Sequence, residues 1–148
     1  MEKHCVSLEI AKQLKEAGWQ KETEFWWIPV YYYDFDIENR NRKDFEIVPN
    51  SFQYSDDVEG RGRSEIDKSK KSPYNKWQQR LPAPIATEIL EEFNSWQEKG
   101  IYIFNDCDTY FVQFREVGFG KLIKDCNNQY LPNALALMWL YLKKEKLI

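Results

Sequence analysis

The sequence predicts an α+β fold: one domain over 1–148, built as a small antiparallel sheet packed with about three helices. Three observations carry this expectation. Helical apolar spacing recurs near both ends and in the middle of the chain. Two runs at 101–104 and 110–115 have the alternation of a hairpin. In addition, 24 aromatic side chains in 148 residues supply the burial of an ordinary core and exclude disorder throughout.

In chain order, Ser7 is placed to cap a helix running through Ala17, and Gly18 suits the left-handed residue that ends it. Leu8, Ala11 and Leu14 lie along one side of this helix, while Lys12, Lys15 and Glu16 fall towards water. Residues 25–28 and 30–33 are rich in aromatic and branched types and read as extended chain. Pro29 lies between them and lacks a ladder donor, so an edge strand or a bulge is expected there. A second strand is expected at 45–48.

From 50 to 79 the hydrophobic period disappears, and this stretch is expected to be a polar, mobile insertion. Leu81-Pro82-Ala83-Pro84 then reads as the opening of a second helix. Ile85, Ile89, Phe93 and Trp96 mark its buried side, and Gly100 its end. The hairpin at 101–115 turns at Asn105-Asp106-Cys107-Asp108, and Tyr110, Val112 and Phe114 share one of its faces. A last helix begins at Pro132-Asn133 and runs to about Lys146. Its residues 134–142 are apolar all round, as in a helix central to a fold or one that forms half of an oligomer interface.

Three stretches, SLEIAKQLKEAG at 7–18 with His4, Cys5 and Val6 before it, LPAPIATEIL at 81–90 and NALALMWLYL at 133–142, resemble helices that recur in small proteins of bacteriophages, prophages and mobile elements. The resemblance covers about a third of the chain. It implies a genomic setting and brings no activity or site residue with it.

The formal net charge of −3 argues against a duplex-binding protein, which is usually basic overall. The charge is uneven, however: residues 57–80 hold seven basic against four acidic side chains. Within that segment Arg61, Arg63, Lys68, Lys70 and Lys71, followed by Tyr74 and Trp77, combine phosphate-neutralising charge with rings that can stack on unpaired bases. A solvated loop pinned by its aromatics explains the same residues. No secretory leader is expected from 1–5, and the nine apolar residues at 134–142 are too few to span a bilayer, so no membrane association is expected. Three widely spaced cysteines, Cys5, Cys107 and Cys126, fit a reduced cytoplasm.

Asp34 and Asp36, and separately Asp106 and Asp108, could offer oxygens to Mg²⁺ or Mn²⁺, but neither pair brings the glycine and further ligand of a metal loop, and a strand end and a turn explain them. His4 and the three cysteines lack the short gaps of a zinc site and the surroundings of a catalytic thiol. Gly118-Phe119-Gly120-Lys121 lacks the spacing of a phosphate loop and reads as a turn. Neither a cofactor nor a metal is expected. Trp26, Trp27, Tyr31, Tyr32 and Tyr33 exceed what one face of a strand can bury, so either both faces are covered or one row is offered to a partner.

The leading expectation is a non-enzymatic accessory protein of a phage or mobile element that binds a protein partner or itself. Single-stranded nucleic-acid binding through 57–80 is the alternative, and a metal-dependent enzyme using Asp34, Asp36, Asp106 and Asp108 the third.

Overall fold

The computed structural model describes residues 3–31, 43–51, 54–56, 63–65, 79–93 and 100–148. The elements run α1 (Leu8–Glu16), β1 (Phe25–Tyr31), β2 (Lys43–Pro49), β3 (Tyr54–Asp56), β4 (Arg63–Glu65), β5 (Leu81–Pro82), α2 (Ala86–Glu92), β6 (Ile101–Asp106), β7 (Thr109–Arg115), β8 (Leu122–Asn128) and α3 (Leu131–Lys144). The class is α+β, as expected. In place of one small sheet there are two antiparallel three-stranded sheets, ordered β2-β1-β5 and β6-β7-β8, and a two-stranded ribbon, β3-β4.

Both long helices end by one device. In α1 the Gly18 N–H donates to the Lys15 carbonyl and the Trp19 N–H to the Leu14 carbonyl, with Gly18 at φ +87°. In α3 the Lys146 N–H reaches Lys143 and the Leu147 N–H reaches Leu142. These paired bonds satisfy carbonyls that the last turn leaves without intrahelical donors. At the other end of α1, Ser7 Oγ accepts from the Ile10 N–H. The Ser7 N–H is itself taken by Oδ1 of Asn133, a buried residue in the first turn of α3, 126 positions away.

The apolar run of α3 is central to the fold. Ala134, Leu135, Ala136, Met138, Trp139 and Leu142 are buried, and the helix packs on β7, β8, α1 and α2. The main core also takes Val6 and Leu14 from the N-terminal part, Trp27 from β1, Ile89 and Phe93 around α2, and Ile101, Val112 and Cys126 from the second sheet. At the start of β6, Gly100 has φ +82°, and a Cβ there would lie 2.1 Å from the Arg115 carbonyl oxygen, so only glycine lets the two strands close.

Four expectations are corrected. Pro29 pairs with Phe45 inside β1, the middle strand of its sheet, without a bulge. The proline is tolerated because β5 pairs only with Trp26 and Trp27, which leaves β1 as a local edge from Ile28 onwards among the described residues. Leu81 and Pro82 form that short strand instead of opening a helix, and α2 begins at Ala86, where the Glu88 carboxylate accepts from the Ile85 N–H. The stretch 50–79 is not wholly loop, since Tyr54–Asp56 and Arg63–Glu65 pair as β3 and β4. Finally, β8 adds a strand beyond the expected hairpin. Trp96, in the expected extension of α2, lies outside the described residues.

Candidate functional site

In the second sheet, strand alternation separates two faces. Ile101, Ile103, Tyr110, Val112, Phe114 and Cys126 turn towards α3 and the core. The opposite face carries Tyr102, Phe104, Phe111, Gln113, Arg115 and Asp125. Phe104 and Phe111 sit directly opposite each other and stack, with centroids 5.1 Å apart and planes 9° from parallel. Phe104 remains 42% exposed.

One end of this face is organised around the loop between β7 and β8. The Gly120 N–H donates to the Glu116 carbonyl and the Glu116 N–H to the Lys121 carbonyl, which closes a tight turn. Phe119 stands at its tip with φ +58°, a left-handed conformation that costs a residue other than glycine roughly 1–2 kcal/mol. Three contacts hold it there. Its N–H donates to the Tyr102 hydroxyl at 2.9 Å, its ring meets the Tyr102 ring edge to face at 4.9 Å, and the Arg115 guanidinium lies 4.5 Å over it. Arg115 is fixed in turn by bonds from Nε to Gln113 Oε1 and from Nη1 to the Gly120 carbonyl. Despite this scaffolding Phe119 is 60% exposed. Val117 and Ile123 nearby are 78% and 46% exposed, so large apolar side chains concentrate at this end of the sheet.

Behind the aromatics, Gln113 is buried, and Asp125 beside it holds an Oδ1 that accepts no hydrogen bond among the described residues. At the other end of the face, the hairpin tip carries exposed Asp106, Cys107 and Asp108. Cys107 opens the two-residue loop in a left-handed conformation, as tight hairpins demand.

The residues singled out in the sequence fall elsewhere. Trp26 and Trp27 are only 7% and 6% exposed and lie on opposite faces of the first sheet, so neither ring is presented to a partner. The Trp27 indole N–H donates to the Val6 carbonyl, the Trp26 N–H to Asn50 Oδ1, and the Arg80 guanidinium lies 4.3 Å over the Trp26 ring. Both faces at these two residues are covered. The backbone of Tyr31 pairs with Lys43 and that of Arg63 with Asp56. Tyr32, Tyr33, Asp34, Asp36, Arg61, Lys68, Lys70, Lys71, Tyr74 and Trp77 lie outside the described residues.

His4 lines an open depression of about 620 Å³ with Lys3, Glu46 and Tyr130, over Trp27 and Phe45. Cys5 is buried against Ile85, Cys107 is exposed at the hairpin, and Cys126 is buried, where loss of solvation pushes its thiol pKa up. Among the described residues no group of three or more His, Cys, Asp or Glu side chains converges as a metal would require, and no helix is long and apolar enough to cross a membrane. Comparison with protein families, curated proteins and solved structures finds no match, which leaves the geometry of the chain itself as the guide to function.

Proposed function

We propose that this chain is a non-enzymatic protein-binding module whose contact surface is the outer face of the β6-β7-β8 sheet with the loop that carries Phe119. The observation that supports this most is the presentation of Phe119. A large aromatic residue is held in a strained backbone conformation by Tyr102 and Arg115 and is nevertheless more than half exposed. Strain kept at an exposed site is characteristic of recognition elements, and an aromatic anchor ringed by further apolar side chains has the composition of an interface centre. Around it Val117, Ile123 and Phe104 extend the apolar area, while Arg115 supplies a cation suited to contact regions. Within this reading the resemblance of the three helical stretches supports an accessory role in a phage or mobile element, acting in the cytoplasm of its host.

A photo-crosslinking phenylalanine analogue placed at Phe119 tests the reading in cells that carry the protein, with the same analogue at the exposed Lys12 of α1 as control. Protein adducts at position 119 and none at 12 are the expected result. Absence of any protein adduct at 119 overturns the proposal.

A further inference from the structure

On the inner side of the β6-β7-β8 sheet the core is incompletely filled at one end. From the lining and volume of that space we infer that the chain binds a single unbranched alkyl chain of about ten carbons, whose polar head stays in water. The inference does not depend on the protein-binding reading above and adds a ligand to it.

Six apolar side chains enclose a cavity of about 270 Å³: Phe93 at the end of α2, Ile101 on β6, Phe114 on β7, Leu142 on α3, and Leu147 and Ile148 beyond it. Phe93, Ile101 and Leu142 are buried and form its inner end, whereas Leu147 is 51% exposed and stands at its mouth. The cap of α3 puts Leu147 there. Lys146 takes φ +56°, and the Leu147 N–H turns back to the Leu142 carbonyl at 2.9 Å, which returns the chain alongside the last turn of the helix.

Protein interiors hold few voids larger than a water molecule, because the wall of an unfilled space forfeits its dispersion contacts. Water fills this one poorly: it needs about two to four polar partners, and none of the six lining side chains supplies one. An apolar cavity of about 150 Å³ takes up benzene, six carbons, so in proportion about 270 Å³ takes roughly ten. The lining offers no hydrogen-bonding side chain to orient a polar ring, and an alkyl chain gives up no hydrogen bond on entering it. Because the space opens at Leu147, a polar head on that chain remains outside.

Isothermal titration of the purified full chain with straight-chain alkanoates from hexanoate to hexadecanoate tests the inference. Affinity should rise about fourfold with each buried methylene up to about ten carbons and level off beyond. Decanol presents the same chain with a neutral head, and its affinity beside that of decanoate identifies the head that the mouth prefers. Leu147→Trp fills the cavity from its exposed mouth and should weaken decanoate binding at least tenfold, with circular dichroism confirming that the variant is folded. Methyl NMR of wild type supplies a readout that needs no variant, since decanoate should shift the signals of Ile101, Leu142, Leu147 and Ile148.

The absence of saturable binding overturns the inference. So does an affinity that keeps rising through hexadecanoate, which marks partition onto the surface, and so does a folded Leu147→Trp that binds decanoate as wild type does. Methyl shifts confined to other residues, or tighter binding of 2-naphthoate than of decanoate, overturn it equally. None of these results touches the crosslink at position 119, so this inference and the protein-binding reading fail separately.

Discussion

The rings of Trp19 and Trp139 meet edge to face, 5.1 Å between centroids and 64° between planes. Trp19 closes the C-terminal cap of α1 and Trp139 lies in the middle of α3, so the contact ties the end of one helix to the flank of another. Both are buried, and Trp19 also satisfies its indole N–H on the Lys21 carbonyl at 3.0 Å. Trp139→Ala should cost about 3–5 kcal/mol, the range for large aromatics removed from a core. Urea unfolding followed by circular dichroism reads the loss, and a variant as stable as wild type would remove α3 from the core.

Asn133 offers a second, polar link between the same helices. Its Oδ1 accepts from the Ser7 N–H at 2.8 Å in a site where the side chain is buried. Asn133→Ala leaves that amide without its partner, and a loss of about 1–3 kcal/mol is expected. Asn133→Asp keeps an acceptor for Ser7 but sets a buried carboxylate against Asn128 Oδ1 in place of a donor, so at neutral pH it should destabilise at least as much as alanine.

At Phe119, alanine and glycine should rank in the order opposite to that of an ordinary surface position. Both remove the ring from Tyr102 and Arg115, but only glycine relieves the left-handed backbone. Phe119→Gly is expected to be more stable than Phe119→Ala by about 1 kcal/mol. A chemical-denaturation pair measures the difference directly, and equal stabilities would show that the backbone at this position is unstrained.

The three cysteines should separate by reactivity. Cys107 is exposed and should take up an aromatic disulfide reagent in the native protein, whereas Cys5 and Cys126 should react only on unfolding. Burial, the main cause of the raised Cys126 pKa, favours the neutral thiol in the folded state. Its contribution to stability is therefore complete below the ordinary thiol pKa and is lost as pH climbs through the raised value. Unfolding curves taken across an alkaline series should show a smaller loss in Cys126→Ser than in wild type.

The elements legible in the sequence are those whose signals are local. Ser7, Gly18 and the spacing of Leu8, Ala11 and Leu14 define α1 without reference to the rest of the chain, and the unbroken apolar run does the same for α3. The missed strands are held by their neighbours. Leu81 and Pro82 are extended because Trp26 and Trp27 pair with them, and Leu122–Asn128 places one buried side chain, Cys126, among lysine, aspartate and asparagine. The adjacent tryptophans of β1 are divided by strand alternation, which sends one ring to each covered face. The open face collects its aromatics from four separate positions, and its trace in the sequence is the phase opposite to Ile101 and Ile103: Tyr102 and Phe104 on one strand and Phe111 on the next.

The bond between Ser7 and Asn133 spans 126 positions of chain, which also sets an order in time. During synthesis at about 5–20 residues per second, α1 emerges roughly 6–25 seconds before the residues of α3 against which it packs. Through that interval Leu14 and Trp19 have no α3 to cover them, although both are buried in the finished molecule. Until α3 arrives the apolar side of this amphipathic helix is uncovered, and the lysines and glutamates on its outer side favour its remaining in solution.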